Sequence, residues 1–319
     1  MGLAQQPVVA ALTPVCLLIG SGFLAGRLRW VGPEAMRGLS NLVFLLLIPA
    51  LLFRTMSAVR FDQLDLRPVL AYFPAAGLWL LAQIAWRGFT PRSIVLALGG
   101  SFSNTVMIGL ALVELAHGRA GLVTLLTLVS VHSLILLSSA TMLVELAQAR
   151  QARDGGSRPR LLATAGAAIR SSLLHPVPLP IVCGLLYAQT GWGLSPLIDQ
   201  PLRLMGNAFG PLSLVLVGIS LAFTPVSGHW RAALPVVAAK NLVLPALVAA
   251  GGWLVGLQGL AWQVAVLAAA LPTGANVYLF AQRYQAEREL TTTVVGLSTV
   301  VGLLSLSVVM ILTAMVPVP

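Results

Sequence analysis

The chain has 319 residues, of which 58% are hydrophobic and only 9% are charged. A soluble domain carries roughly a quarter charged residues, so this composition excludes a soluble globular protein and indicates a polytopic membrane protein. The formal net charge of +10 does not indicate nucleic-acid binding, because the basic residues are scattered through short gaps between apolar runs.

Ten apolar runs of the chain reach the length of a spanning helix, which is about 20 residues. In chain order they lie at about 7–26, 35–56, 68–86, 92–116, 120–147, 173–190, 196–223, 231–255, 260–282 and 291–316. The first run has neither the preceding basic segment nor the cleavage site of a removable signal peptide, so we expect it to stay in the membrane. The sequence predicts an all-α membrane protein with ten transmembrane helices.

A polar stretch at residues 148–160 divides these helices five and five. It predicts a first repeat at 1–147, a flexible cytoplasmic connector at 148–172 and a second repeat at 173–319. Five is an odd number, so two halves of the same fold would enter the membrane from opposite sides and form an inverted repeat. Asparagine and proline recur at matching places in the two halves, as at Asn41 and Asn207.

The arginines indicate the orientation of the chain, because short cytoplasmic loops hold an excess of basic residues. The alternate gaps that begin after the first helix hold most of them. Both termini are therefore predicted to lie outside. The excess of arginine over lysine is typical of a GC-rich bacterial genome, so we expect the inner membrane.

The predicted ninth helix contains "LPTGAN", in which Pro272 and Gly274 oppose helical bonding. The predicted fourth helix contains "GGSFSN", in which Gly99 and Gly100 have the same effect more weakly. Both helices are therefore predicted to break, one in each half.

A broken helix exposes backbone N–H and C=O groups that lipid cannot satisfy, so each break must lie inside protein or line a wet cavity. The N-terminal end of the following half-helix carries partial positive charge and suits a carboxylate. The predicted substrate-binding residues are Ser101, Ser103, Asn104, Thr273, Gly274 and Asn276. The alternative is that the small residues only let two helices pack closely.

Two titratable residues lie in the middle of predicted helices. Lys240 is too deep to reach the interface easily, and three roles are open: it braces the broken helices where related folds hold sodium, attracts the anion, or pairs with Glu114 or Glu145. His132 could relay protons, but a hydrogen bond to a neighbouring helix is the favoured interpretation.

Other classes of function find little support. No motif of a protease, hydrolase or nucleotide-binding enzyme is present, and the dispersed histidines predict neither a metal site nor a cofactor. Cys16 and Cys183 lie in apolar segments and are expected to be buried without a disulfide. The remaining alternative is a sodium- or proton-coupled antiporter or symporter, although such proteins usually carry acidic residues in the membrane core.

Three segments resemble the auxin efflux carrier family, in particular the plant PIN carriers and their bacterial relatives. They are "LSNLVFLLLIPALLFRTM" in the second helix, "SFSNTVMIGLAL" in the fourth and "LPTGANVYLFAQRYQ" in the ninth. Plant members are similar but have proline at both helix breaks, whereas here only Pro272 is present.

The resemblance implies a fold and an activity. The fold would have two inverted repeats, an X-shaped crossing of helices four and nine, and a scaffold of helices one, two, six and seven. The other helices would form a transport domain that moves as an elevator. The activity would be transport of small organic anions such as auxin or dicarboxylates, often by a homodimer in the lipid bilayer. Asn104 and Asn276 would contact the substrate.

Overall fold

The computed structural model describes residues 7–151, 176–224 and 228–315, and the regular elements of those residues are helical. They are α1 Pro7–Arg27, α2 Pro33–Met56, α3 Arg67–Arg87, α4 Pro91–Gly99, α5 Ala111–Gln151, α6 Pro178–Gln189, α7 Pro196–Phe223, α8 Trp230–Leu254, α9 Gly259–Ala270, α10 Asn276–Arg283 and α11 Arg288–Met315. Within this part of the chain, 7 helical stretches are long and apolar enough to cross a membrane, and α6 and α9 are shorter apolar helices. The described part of the chain is therefore helical, and the protein is a multi-pass membrane protein.

The helices differ from the predicted runs mainly at their ends and at the breaks. The predicted fourth run is divided into α4 and the start of α5, and the predicted ninth run into α9 and α10. The predicted fourth and fifth runs meet at Gly118, whose φ of 61° and ψ of −156° interrupt the helix. Helix α5 continues to Gln151, and the rest of the predicted connector lies outside the described residues.

Helices α2 and α8 each contain one widened turn, at Val43–Leu47 and Ala239–Val243. Each turn lies just before a proline, Pro49 or Pro245, which has no N–H to donate to the carbonyl four residues back. The backbone responds with bonds to the fifth residue back, as from the N–H of Leu244 to the carbonyl of Ala239.

Helices α1 and α7 pack with their backbones in contact. A side chain at Gly22 would place its Cβ 2.0 Å from the carbonyl oxygen of Val215, and one at Gly218 would lie 2.0 Å from that of Ile19. Small residues at such positions allow close helix packing in membranes, where dispersion rather than the hydrophobic effect holds helices together.

Most of the remaining contacts fall within two sets of helices, a first set of α1, α2, α6 and α7 and a second set of α3, α4, α8, α9, α10 and α11, while α5 contacts both. Helix α2 packs on α6 and α7, whereas α3 packs on α8, and α8 packs on α9 and α11. Helix α5 lies against α4 and α9. The broken helices thus lie within the second set.

The outer faces of the helices carry large apolar side chains in numbers that a soluble protein would not expose; Leu78, Leu197 and Leu304 are examples. Cys16 and Cys183 are also exposed, so the prediction that they are buried is wrong. Lipid accepts a thiol as readily as a protein interior does, and an apolar run alone does not distinguish the two surroundings.

Candidate functional site

Two interrupted helices cross in the interior of the protein. Helix α4 ends at Gly99 and helical bonding resumes at Thr105, while α9 ends at Ala270 and α10 begins at Asn276. Gly100 allows the first interruption to approach α3, because a Cβ there would lie 2.4 Å from the side-chain oxygen of Gln83.

The two interruptions bind each other as a short antiparallel bridge between Ser103 and Thr273. The N–H of Asn104 donates to the carbonyl of Pro272 at 2.8 Å, and the N–H of Gly274 donates to the carbonyl of Phe102 at 3.0 Å. The bridge satisfies two donors and two acceptors that the broken helices would otherwise leave unpaired in the membrane.

The carbonyl ends of the first half-helices are capped by protein groups. The Nζ of Lys240 donates to the carbonyls of Ala269 at 2.5 Å and Leu271 at 2.6 Å, at the end of α9. The hydroxyl of Thr273 donates to the carbonyl of Gly99 at 2.8 Å, at the end of α4. The partial negative charge of both helix ends is therefore met from inside the protein.

The amide ends of the second half-helices are more open. The side-chain oxygen of Asn104 accepts from the N–H of Met107 at 3.2 Å and caps the turn that leads into α5. At the start of α10, the N–H groups of Ala275 and Asn276 have no acceptor among the described residues. The Asn276 side chain likewise makes no hydrogen bond to the described part of the chain, so its amide is available to a ligand.

A cavity of about 540 Å³, counted with its open mouth, lies at these two amide ends. Its lining residues come from both interruptions and from α2, α5 and the start of α6: Phe44, Phe102, Ser103, Asn104, Thr105, Val106, Met107, Val129, Ser133, Val177, Pro178, Gly274, Ala275 and Asn276. No charged side chain is among these described residues. The polarity of the cavity comes from amides, hydroxyls and the two helix N-termini.

Four of the predicted binding residues line this cavity: Ser103, Asn104, Gly274 and Asn276. Ser101 and Thr273 do not line it, and both are fully buried. The hydroxyl of Ser101 accepts from the side-chain amide of Gln83 at 3.3 Å. These two residues hold the crossing in shape, and their geometry gives no support to a direct contact with substrate.

Comparison with known proteins identifies the family. Residues 7–310 match the family described as membrane transport protein. The chain belongs to that family. It is 26% identical over 312 residues to the "Putative malonate transporter" of Rhizobium meliloti (strain 1021), across 94% of this chain and 95% of the relative. It is 23% identical over 336 residues to "Auxin efflux carrier component 8" of Arabidopsis thaliana, across 90% of this chain and 92% of the relative.

The predicted membership of the auxin efflux carrier family is thereby confirmed. The chain is a membrane transporter and not an enzyme. The polar cavity at the helix crossing is therefore the candidate site for a transported molecule.

In this family member Lys240 is fully buried, and the alternative of an ion pair with Glu114 or Glu145 is not found. Neither carboxylate lies within ion-pair distance of Lys240 in the described structure. The widened turn of α8 presents the lysine to the carbonyls at the end of α9 instead. Sequence alone could not find these partners, because they are backbone atoms of another helix.

His132 is buried between helices, as the favoured interpretation expects. Its Nε2 lies 3.2 Å from the hydroxyl of Tyr72, and its ring lies 4.4 Å from the ring of Phe102, centroid to centroid. The Tyr72 hydroxyl also lies 2.8 Å from that of Ser103, which lines the cavity. The histidine therefore positions α3 and the first interruption relative to each other.

Sequence reasoning missed the second layer of polar residues around the crossing. Tyr72 and Gln83 of α3 bind Ser103 and Ser101, and Ser298 of α11 accepts from the N–H of Thr273 at 3.1 Å. All three are fully or almost fully buried. The available signal was a polar side chain in an otherwise apolar run, since such a residue must find a partner within the protein.

Proposed function

We propose that the protein transports small carboxylates, which bind in the cavity at the crossing of the two interrupted helices. The observation that carries this proposal is the asymmetry of the crossing. The negative helix ends are capped by Lys240 and Thr273, whereas the positive ends, at Asn104 and Asn276, line the cavity. Helix N-termini with free amides favour anions.

The charges around the cavity argue against a cation as its occupant. A sodium ion takes oxygen ligands, but the carbonyls of Ala269 and Leu271 already accept from Lys240. No carboxylate is among the described residues that line the cavity. A sodium- or proton-coupled antiporter of a related fold remains the alternative, and it would need an acidic ion site in the membrane core.

Malonate is the first anion to test, because the Rhizobium relative carries that substrate in its name. A dicarboxylate can place one carboxylate at the amide end of α10, where Asn276 lies, and the other near Asn104 and Thr105. The apolar side chains of Phe44 and Val129 would then face its methylene group.

For the transport cycle we propose an elevator. The set of α1, α2, α6 and α7 would form the stationary scaffold, since its members pack on each other, and the set around the crossing would move. The proposal includes ten spans in two inverted repeats, with both termini outside the bacterial inner membrane, and a homodimer. These features follow from the resemblance and the pattern of arginines given above.

Counterflow of labelled malonate in proteoliposomes, with and without sodium and proton gradients, tests the proposal. Asn276→Ala removes a side chain that makes no hydrogen bond to the described residues, so we expect folded protein and a loss of transport of at least tenfold. Asn104→Ala also loses a helix cap worth about 0.5–2 kcal/mol, so Asn276 is the cleaner position. Asn41→Ala, on an exposed part of α2, is the matched control and should behave as wild type.

Two outcomes would contradict the proposal. One is wild-type protein that moves neither malonate nor any other mono- or dicarboxylate of a panel. The other is Asn276→Ala transport at the rate of Asn41→Ala. Uptake that depends strictly on a sodium gradient would favour the coupled alternative.

A further inference from the structure

A second polar cavity, of about 410 Å³ counted with its open mouth, lies between α2, α5 and α7. We call it the arginine pocket; it is lined by Leu51, Arg54, Thr55, Glu114, Arg119, Leu122, Arg203, Gly206 and Asn207. Three arginines at one cavity are unusual in a chain that is only 9% charged. Charged residues in membrane proteins mark ligand or ion pathways when they face a cavity.

The arginine pocket lies beside the cavity at the helix crossing, which we call the crossing cavity. Three stretches of chain contribute residues to both cavities, and each stretch holds one pair of residues, one member at each cavity, that are seven positions apart. The pairs are Phe44 and Leu51, Met107 and Glu114, and Val129 and Leu122. Leu122 and Val129 lie in a regular part of α5, on the same face and about 10 Å apart along its axis, whereas each of the other two pairs includes one residue of a widened turn. The two cavities therefore lie along the same helices, about 10 Å apart.

The charges of the arginine pocket leave two guanidinium groups for a ligand. Arg54 is held by Asp199 through two hydrogen bonds, of 2.7 Å and 3.1 Å. Arg119 and Arg203 are exposed, and although both lie near enough to Asp199 for its charge to act on them, neither has a carboxylate within ion-pair distance among the described residues. The Asn207 amide lines the same space and can add hydrogen-bond donors.

Glu114 is the one carboxylate among the described residues that line this pocket. It opposes tight binding of an anion, which suits a site on a pathway, because the ligand must enter readily and also leave. Arginine binds carboxylates through paired N–H donors, so the pocket can still select for them.

We propose that the arginine pocket is a second carboxylate site, which captures the anion on the predicted outer side and passes it to the crossing cavity. This rests on the proposed function, since it gives a route to a site at Asn104 and Asn276. Arg119 and Arg203 are the binding residues, and Arg54 is a positioning residue that Asp199 holds in place.

Protection of arginines from phenylglyoxal, read by mass spectrometry on the detergent-purified protein, tests binding directly. Malonate should slow modification of Arg119 and Arg203 relative to chloride at equal ionic strength. It should not protect Arg60, an exposed arginine outside the pocket, which is the internal control. The protection should persist in Asn276→Ala. Equal modification of Arg119 and Arg203 in malonate and chloride would overturn the proposal, as would loss of protection in Asn276→Ala.

Transport kinetics test the route. Arg119 lies ten positions, or about 15 Å along the helix, from Val129 of the crossing cavity, and two unit charges at about that distance change the attraction for an anion about two- to threefold per negative charge in a water-like dielectric. The Arg119→Gln/Arg203→Gln double variant should therefore raise the KM for a monocarboxylate about two- to threefold at low ionic strength, and that for malonate further. Salt should weaken the effect. Arg60→Gln should keep the wild-type KM.

The failures of the two proposals are distinguishable. Transport by wild type without protection of Arg119 and Arg203 would overturn the arginine pocket and leave the proposed function standing. Protection without any transport by wild type would overturn the proposed function and leave the carboxylate site standing. A double variant with the wild-type KM at low ionic strength would overturn the route.

Discussion

Replacement of Lys240 by methionine is the sharpest test of how the helix crossing is held together. The substitution keeps the length of the side chain and removes the donor to the carbonyls of Ala269 and Leu271. A buried acceptor without a partner costs about 1–3 kcal/mol, so the two carbonyls together cost about 2–6 kcal/mol. The loss of a lysine from the bilayer centre recovers about 2.5–3.5 kcal/mol.

These opposing contributions leave the net change in the free energy of unfolding at no more than about 4 kcal/mol, so we expect Lys240→Met to fold. The main structural change is expected at the end of α9, where the carbonyls would turn toward other donors and displace the bridge at Thr273. If about 1.4 kcal/mol of the loss appears in the transport barrier, the rate falls about tenfold. Malonate counterflow and thermal unfolding of the purified variant measure the two effects separately.

Lys240→Gln is the matched control, because its amide keeps N–H donors without the charge. If the lysine acts by capping α9, the glutamine variant should retain clearly more transport than the methionine variant. A glutamine variant as inactive as methionine would show that the positive charge itself attracts the anion. Wild-type transport and thermal stability in Lys240→Met would refute both roles.

Two further predictions concern the α1–α7 contact and the hydrogen bonds around the crossing. Gly218→Val should lower the free energy of unfolding of the purified protein by about 1–3 kcal/mol, because its Cβ would lie 2.0 Å from the carbonyl oxygen of Ile19. Thermal unfolding of the purified variant measures the change. Gly20→Val, whose Cβ would meet nothing within 4 Å, is the control, and an equal loss there would contradict the reasoning. Tyr72→Phe should cost about 1–3 kcal/mol in the same assay and slow malonate counterflow, because it leaves buried Ser103 and His132 without their shared hydroxyl partner. Unchanged stability and counterflow would show that this hydroxyl is dispensable.

The positions of the helices could be read from the sequence because lipid imposes a length and a composition on a span. The predicted run 196–223 coincides with α7, and the predicted run 68–86 differs from α3 by one residue at each end. The widened turns of α2 and α8 were not predicted, although their cause, a proline within the span, is local. Proline can kink, end or widen a helix, and packing decides among these.

The breaks could be predicted because their causes are local. The partners of the break residues could not be predicted, because they depend on tertiary packing. Pro272 opposes helical bonding wherever it lies, so the interruption before Asn276 depends on local chemistry. The caps depend on tertiary packing: Lys240 binds carbonyls about thirty positions away, and Thr273 binds one in the other half of the chain. A list of side chains does not reveal such acceptors, because every residue offers the same carbonyl.

The caps also explain how the crossing can favour anions over cations. Two broken helices create two positive ends and two negative ends, so a bare crossing would attract anions and cations alike. Lys240 and Thr273 neutralise the negative ends with donors that belong to the protein. The positive ends keep an asparagine each, and an amide side chain can donate to a carboxylate without a fixed charge that would hold it too tightly. Selectivity for anions at this cavity therefore depends as much on the groups that close the carbonyl ends as on the groups that touch the substrate.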